Sequence, residues 1–146
     1  MTTDFDLTDP ALYTHWVDEN VRFSDTDQAG HVNNTAIAKY VESGRLHFDF
    51  DVIKGAASGL DEPFGMILAN LNVNYLQESY FPGKLRIGTR LIRIGNSSLT
   101  TAHGLFRETG CFATSTCVMV NKVGGASCPF GPKMRARLEQ LLPGGA

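Results

Sequence analysis

The sequence predicts an α+β fold in which a curved antiparallel sheet wraps a long central helix. Three observations lead there: one amphipathic helical stretch near residues 35–50, a succession of strand-like segments after it joined by short turns, and a length of 146 residues that suits one hydrophobic core. Helix and sheet each present an apolar face, and both are buried only if the sheet covers the helix. Periodicity by itself leaves other α+β topologies open.

The elements follow in chain order. Val21 and Phe23 alternate with Arg22 and Ser24, which predicts a half-buried strand over residues 21–25. Residues 27–34 are then polar and turn-forming, with Gly30 free to take a left-handed conformation and Asn33 or Asn34 suited to cap a helix. From about Thr35 to Phe50, Ile37, Tyr40, Val41, Gly44 and Phe48 recur at three- and four-residue intervals on one helical face, while Ala36, Ala38, Leu46 and Phe50 extend the apolar surface around it. A Gly-, Ser- and Pro-containing stretch over residues 55–65 reads as an irregular segment. Leu71, Val73 and Tyr75 alternate with Asn70, Asn72 and Asn74 as on a strand. Residues 85–94, 97–107 and 111–121 are further strands, separated at Gly95-Asn96 and Thr109-Gly110 by hairpin-type turns, so they form an antiparallel meander. Pro132 fits the first turn of a last helix with Met134, Leu138 and Leu141 on its inner face, and residues 143–146 are expected to fray.

Composition narrows the class of function. With 42% hydrophobic and 19% charged residues the chain is expected to fold as one domain over residues 1–146. A formal charge of -2 offers no global attraction to nucleic acid or to an anionic membrane. No apolar run is long enough to span a bilayer, and the first residues lack the basic and apolar regions of a leader, so a cytoplasmic protein is expected. Cys111, Cys117 and Cys128 have neither disulfide-framework nor zinc-site spacing, and His15, His47 and His103 are scattered, so no metal or other cofactor is expected.

The run Val21-Arg22-Phe23-Ser24-Asp25-Thr26-Asp27-Gln28-Ala29-Gly30-His31-Val32-Asn33-Asn34, continuing to Tyr40-Val41-Glu42-Ser43-Gly44-Arg45, has the pattern D-x-D-x-x-G-H-V-N-N followed by Y-x-E-x-x-R. It resembles the 4-hydroxybenzoyl-CoA thioesterase family of hot-dog proteins. Asn74-Tyr75-Leu76, Gly83, residues 94–98 and residues 132–135 are similar to that family in order and spacing, so the resemblance runs over roughly residues 17–142. It implies a hot-dog fold, with the helix as the sausage and the sheet as the bun. It also implies an acyl-CoA substrate and a homodimer or homotetramer with clefts at subunit interfaces. The family's catalytic carboxylate, the second aspartate of the motif, falls on Asp27. Where a tyrosine often stands three residues after the second asparagine, this chain has Ile37, which bears on the shape of the acyl pocket.

The residues themselves suit thioester hydrolysis. An aspartate just upstream of a helix N-terminus can act as base or nucleophile, because the free N–H groups of the first turn point to where charge develops on the carbonyl oxygen. The N–H near Asn34 is the donor in this reading, with His31 and Asn33 either orienting water or substrate or serving as satisfied structural groups, Gly30 a substrate-binding position, and Asp25 orienting the loop. A turn or capping role for Asp27 is the plainer alternative. Arg90 and Arg93, with Ser97 and Ser98 at the following turn, are candidates for the nucleotide end of coenzyme A, and solvated surface groups otherwise. Glu42, three residues before Arg45, is read as its ion-pair partner, with a catalytic role as the alternative because some hot-dog thioesterases use a helix-borne acid.

Two other functions remain open. A hot-dog enoyl-CoA hydratase uses an Asp–His pair, but the Asn-Pro usual between them is missing from residues 27–31. A non-catalytic acyl-CoA-binding module is the other, although regulators of that kind add a DNA-binding segment for which the acidic N-terminus is too short.

Overall fold

Helix α1, Asn34–Phe48, starts where Asn33 leaves the helical region (φ -67°, ψ 144°) and its side chain accepts the Thr35 N–H. Ala36, Ile37, Tyr40, Val41, Gly44 and Phe48 line its buried face, as the spacing predicts, and Arg45 and His47 sit in its last turn. The structure, a computed structural model, describes residues 4–144.

Around α1 curves a sheet of antiparallel strands: β1 (His15–Asn20), β2 (Met66–Tyr75), β3 (Lys84–Ile94), β4 (Ser98–Arg107) and β5 (Gly110–Val123), in the order β1-β3-β4-β5-β2, with the short β6 (Ala126–Ser127) beside β5. The meander β3-β4-β5 is the one expected from the Gly95-Asn96 and Thr109-Gly110 turns. Register shifts at Leu68/Asn70, Leu91/Arg93 and Leu105/Phe106 place bulges on three of the ladders. Each extra residue bends its strand, which lets the sheet close round the helix. Helix α1 comes close enough to β3 that a Cβ on Gly44 would lie 2.5 Å from Ile87 Cγ2. The predicted hot-dog architecture is therefore the observed one.

The structure corrects four local expectations. The first strand lies at His15–Asn20, and Phe23–Asp25 forms a 3-10 turn instead of a strand. Asp25 Oδ2 accepts the Arg22 N–H (2.8 Å) and the Thr26 hydroxyl donates to the Phe23 carbonyl (2.7 Å), local bonds that hold the backbone out of a ladder. The helical path does not stop near Phe50: a π-helix over Asp49–Ile53 leads into α2 (Lys54–Ala57), and the irregular stretch begins only at Ser58. On β2, Val73 packs on the core, but Leu71 and Tyr75 are exposed because β2 is an edge strand beyond the cover of α1. Glu42 is exposed and makes no ion pair with Arg45, whose guanidinium turns inward to Asp49 (3.5 Å) and the Met119 sulfur (3.8 Å).

Helix α3 (Pro132–Glu139) begins at Pro132 as expected and buries Met134 and Leu138. Its first N–H groups are capped from afar by the Glu62 carboxylate, which accepts from Lys133 and Met134 at 3.2 and 2.7 Å. Of the tail expected to fray, Gly145 and Ala146 lie outside the described residues.

Candidate active site

Residues 25–34 form a loop tied at both ends. Thr26 bridges to Val32, and the Asn33 N–H donates to the Asp25 carbonyl at 2.7 Å, so the chain folds back immediately before α1. At its tip the Gly30 N–H closes a turn onto the Asp27 carbonyl (3.0 Å), with Gly30 at φ +83°, where a side chain would be strained. Gly30 therefore shapes the loop and does not line the cavity beside it.

The Asp27 carboxylate is held by this turn. Its Oδ1 accepts the Ala29 N–H at 2.9 Å and the His31 N–H at 3.3 Å, while its own N–H donates to the His31 carbonyl at 2.9 Å. Oδ2 takes no hydrogen bond from the described residues. Asp27 is thus a turn-former and a carboxylate with one free oxygen at once, and the plainer reading and the catalytic one describe the same geometry.

Asp27, His31 and Asn34 meet in a cavity of about 230 Å³ that also takes in Val32, Ile37, Tyr75, Gln77, Glu78 and Ser79. Its position follows from the chain: one wall is the loop and the first turn of α1, and the other is the segment leaving β2. The Val32 N–H donates to the Ser79 carbonyl at 2.7 Å and His31 bridges to Tyr80, which fastens the two walls together. Helix α1 contributes its positive end. The Asn33 side chain takes the Thr35 N–H and the Asn33 carbonyl takes the Ile37 N–H, leaving the Asn34 N–H for an outside acceptor. Asn33 is committed to this cap and is not in the cavity wall.

His31 Nε2 lies 3.3 Å from Glu78 Oε2, the same oxygen that accepts the Tyr80 hydroxyl at 2.6 Å. That bond raises the Tyr80 pKa, since ionising the phenol would set two anions together. Sequence reasoning misses Tyr75, Gln77, Glu78 and Ser79 as site residues. No spacing relates them to Asp27, and Tyr75 reads there as a strand residue within the family-like Asn74-Tyr75-Leu76, not as a site residue.

The proposed nucleotide-binding residues stand elsewhere. Strand β3, 11 residues long, spans about 33 Å at roughly 3.3 Å per residue. Its Lys84 end lies at the Asp27 side of the sheet, whereas Arg93, Ser97 and Ser98 are at the opposite end, around the β3–β4 turn. Arg90 is engaged within the chain, donating to the Leu12 carbonyl at 3.2 Å. None of the four lines the Asp27 cavity. Glu42 lines a separate cavity of about 140 Å³ between α1 and β2 with Lys39, Arg45, Leu68 and Leu71.

Among the described residues, no group of three or more His, Cys, Asp or Glu side chains gathers that could hold a metal ion. Among the same residues, no helix is long and apolar enough to cross a membrane.

A long helix wrapped by a curved antiparallel sheet defines a hot-dog domain. The sequence pattern of the thioesterase-like superfamily matches residues 21–138, and the chain belongs to that superfamily. Among solved structures it is similar to a predicted thioesterase from Bacillus stearothermophilus, at 27% identity and a TM-score of 0.74 over 87% of this chain and 95% of the other. It is also similar to a thioesterase from Thermus thermophilus complexed with coenzyme A and zinc, at 26% identity and a TM-score of 0.73, covering 86% and 98%. A thioesterase superfamily protein from Jannaschia sp. CCS1 gives 26% identity and a TM-score of 0.72, covering 90% and 85%. No curated protein matches the sequence.

Proposed function

We propose that the protein hydrolyses an acyl- or aryl-CoA thioester to the free acid and coenzyme A, with Asp27 as the reacting carboxylate. The observation that carries this reading is the free Oδ2 of Asp27 in the same cavity as the first turn of α1. A thioester carbonyl in that cavity would meet the Asn34 N–H and the positive helix end as charge builds on its oxygen. Oδ2 then either removes a proton from an attacking water or attacks the carbonyl carbon itself, to give an acyl-enzyme anhydride that water opens. In both routes the carbon–sulfur bond breaks and coenzyme A leaves as a thiolate that takes up a proton. His31, on the same wall, orients water or substrate, and Asn33 keeps the helix tip in place.

Coenzyme A as the carrier is supported by the complex of the Thermus thermophilus relative. The 4-hydroxybenzoyl-CoA-like motif supports aryl as well as alkyl acyl groups. Assembly into a homodimer or homotetramer is supported by β2: an edge strand with Ile67, Leu68, Leu71 and Tyr75 exposed is prone to aggregation unless another chain covers it. Such an assembly also gives Arg93, Ser97 and Ser98 a route to the nucleotide, from a subunit other than the one supplying Asp27. The reading needs a single domain.

Purified Asp27→Asn protein tests the proposal, with free-thiol release measured over straight-chain and aromatic acyl-CoA substrates. Turnover should drop about 10²- to 10⁴-fold with the melting temperature unchanged, whereas Glu42→Gln should stay close to the native rate. Near-native turnover in Asp27→Asn rejects the assignment.

A further inference from the structure

We propose that Tyr40 is a positioning residue for the reaction, holding Asp27 to the helix tip through Asp25; the inference rests on the reading of Asp27 given above. The loop that carries Asp27 is solvent-facing along much of its length: Arg22, Phe23, Ser24 and residues 27–30 are all exposed. Besides the backbone bonds that tie its two ends, it is joined to the core by the Asp25 side chain. The Asp25 Oδ2 accepts the Tyr40 hydroxyl at 2.6 Å and the Arg22 N–H at 2.8 Å, and the Asp25 carbonyl accepts the N–H of the cap residue Asn33 at 2.7 Å. One residue thus joins the start of the loop, the cap of α1 and the buried face of that helix.

Tyr40 lies six residues beyond Asn34, about 9 Å along the axis at roughly 1.5 Å per residue. Its ring packs in the core with Ile37, Val41 and Val32 and is only 6% exposed. Burial first, and then the bond to Asp25, keep the phenol protonated far above its ordinary range, so it is a permanent donor. The core therefore sets where Asp25 sits, and Asp25, two residues before Asp27, sets where the reacting carboxylate stands relative to the Asn34 N–H. A displacement near 1 Å between reacting groups is enough to cost about 100-fold in rate.

The test replaces Tyr40 by Phe, which keeps the ring in the core and removes only the donor, and measures kcat, KM and melting with an acyl-CoA that the native enzyme hydrolyses. The expected result is a kcat lowered about 10- to 100-fold with KM within about twofold. In an Asp27→Asn background the same substitution should cost nothing further, because there is no longer a carboxylate to position. Asp25→Asn retains an acceptor oxygen for Tyr40 and should keep most of the rate, whereas Asp25→Ala should lose as much as Tyr40→Phe. An unchanged kcat in Tyr40→Phe, or the same fractional loss with and without the Asp27 carboxylate, overturns the proposal. Should Tyr40→Phe fail to fold, the two Asp25 variants decide it, equal losses in both counting against. Near-native turnover in Asp27→Asn alone is the separate signature that the parent reading is wrong.

Discussion

Asn33 shows how much rests on one side chain at the start of α1. Its Oδ1 accepts both the Thr35 N–H at 2.8 Å and the Thr35 hydroxyl at 2.9 Å, and its own N–H ties the helix start to Asp25. Asn33→Ala removes the two side-chain bonds and should destabilise the protein by about 1 kcal/mol, read as a lower denaturation midpoint with an unchanged denaturant slope. The cap and the turn were legible in the sequence, because a turn and a helix start are written in neighbouring residues, whereas Asp27 is singled out there by the resemblance of its motif. Tyr75, Gln77, Glu78 and Ser79 were not, since they reach Asp27 only through the path of β2 round the sheet. Glu42 and Arg45 show the limit of spacing rules. Three residues apart on a helix they are neighbours, yet Arg45 gains more by going inward to Asp49 and Met119 and leaves Glu42 to solvent.

At the scale of elements, the N-terminal segment is built into the outer face of the sheet through a notch of two glycines. Gly88 and Gly104 are direct partners on the β3–β4 ladder, and the Tyr13 ring lies across them. A Cβ on Gly88 would be 2.6 Å from Tyr13 Cγ, and one on Gly104 2.6 Å from Tyr13 Cε2. Tyr13 also meets Trp16 and Phe106 edge-on, so its ring cannot move without disturbing both. Gly88→Ala should therefore cost about 1–3 kcal/mol by overpacking. Gly55→Ala is the contrast: in α2, with nothing within 4 Å of its Cβ, it should be neutral or mildly stabilising. Equal melting temperatures for the two variants would refute the notch. The strands and α1 were readable as elements, since their periodicity is local. The first strand is misplaced by sequence pattern because Val21 and Phe23 alternate like a strand while Asp25 and Thr26 tie the backbone into a turn, which leaves Phe23 76% exposed.

Across the whole molecule the interior is not one uniform core. Val21, Ile37, Tyr40, Val41, Leu85, Ile87, Leu105 and Phe112 cluster near the Asp27 end, and Phe48, Ile53, Leu91, Leu99, Met119, Met134 and Leu138 at the other. Between them runs a buried polar band: Thr89, His103 and Ser115 are cross-strand partners on β3, β4 and β5, with Arg45 and Asp49 of the helical layer close by. The band could not be seen in the sequence, because only the ladder register lines up residues 89, 103 and 115. His103 is fully buried, with hydroxyls of Thr89 and Thr101 at 3.0 and 2.9 Å from its two ring nitrogens. Burial, helped by the Arg45 charge, lowers its pKa from 6.5 to about 3.

The unfolded chain takes up a proton on His103 below about 6.5 that the folded protein refuses until about 3, so this group makes stability fall as the pH drops through that window. Asp49 acts in the opposite sense. Burial raises its pKa from 3.8 to about 6 against the pull of Arg45 and Lys54, so between those values the folded state holds a proton that the unfolded state has released. Its contribution favours folding at low pH and is lost as the pH rises through about 6. Over the shared range the two oppose each other, with the wider shift belonging to His103. Comparing unfolding free energies at about pH 7 and about pH 4.5 by denaturant titration separates them. His103→Gln, which can still hydrogen-bond to a threonine hydroxyl, should lose less stability on acidification than the native protein. Asp49→Asn should lose more, since it leaves the His103 slope unopposed. If all three proteins lose the same amount, the acid sensitivity of the fold arises outside the polar band.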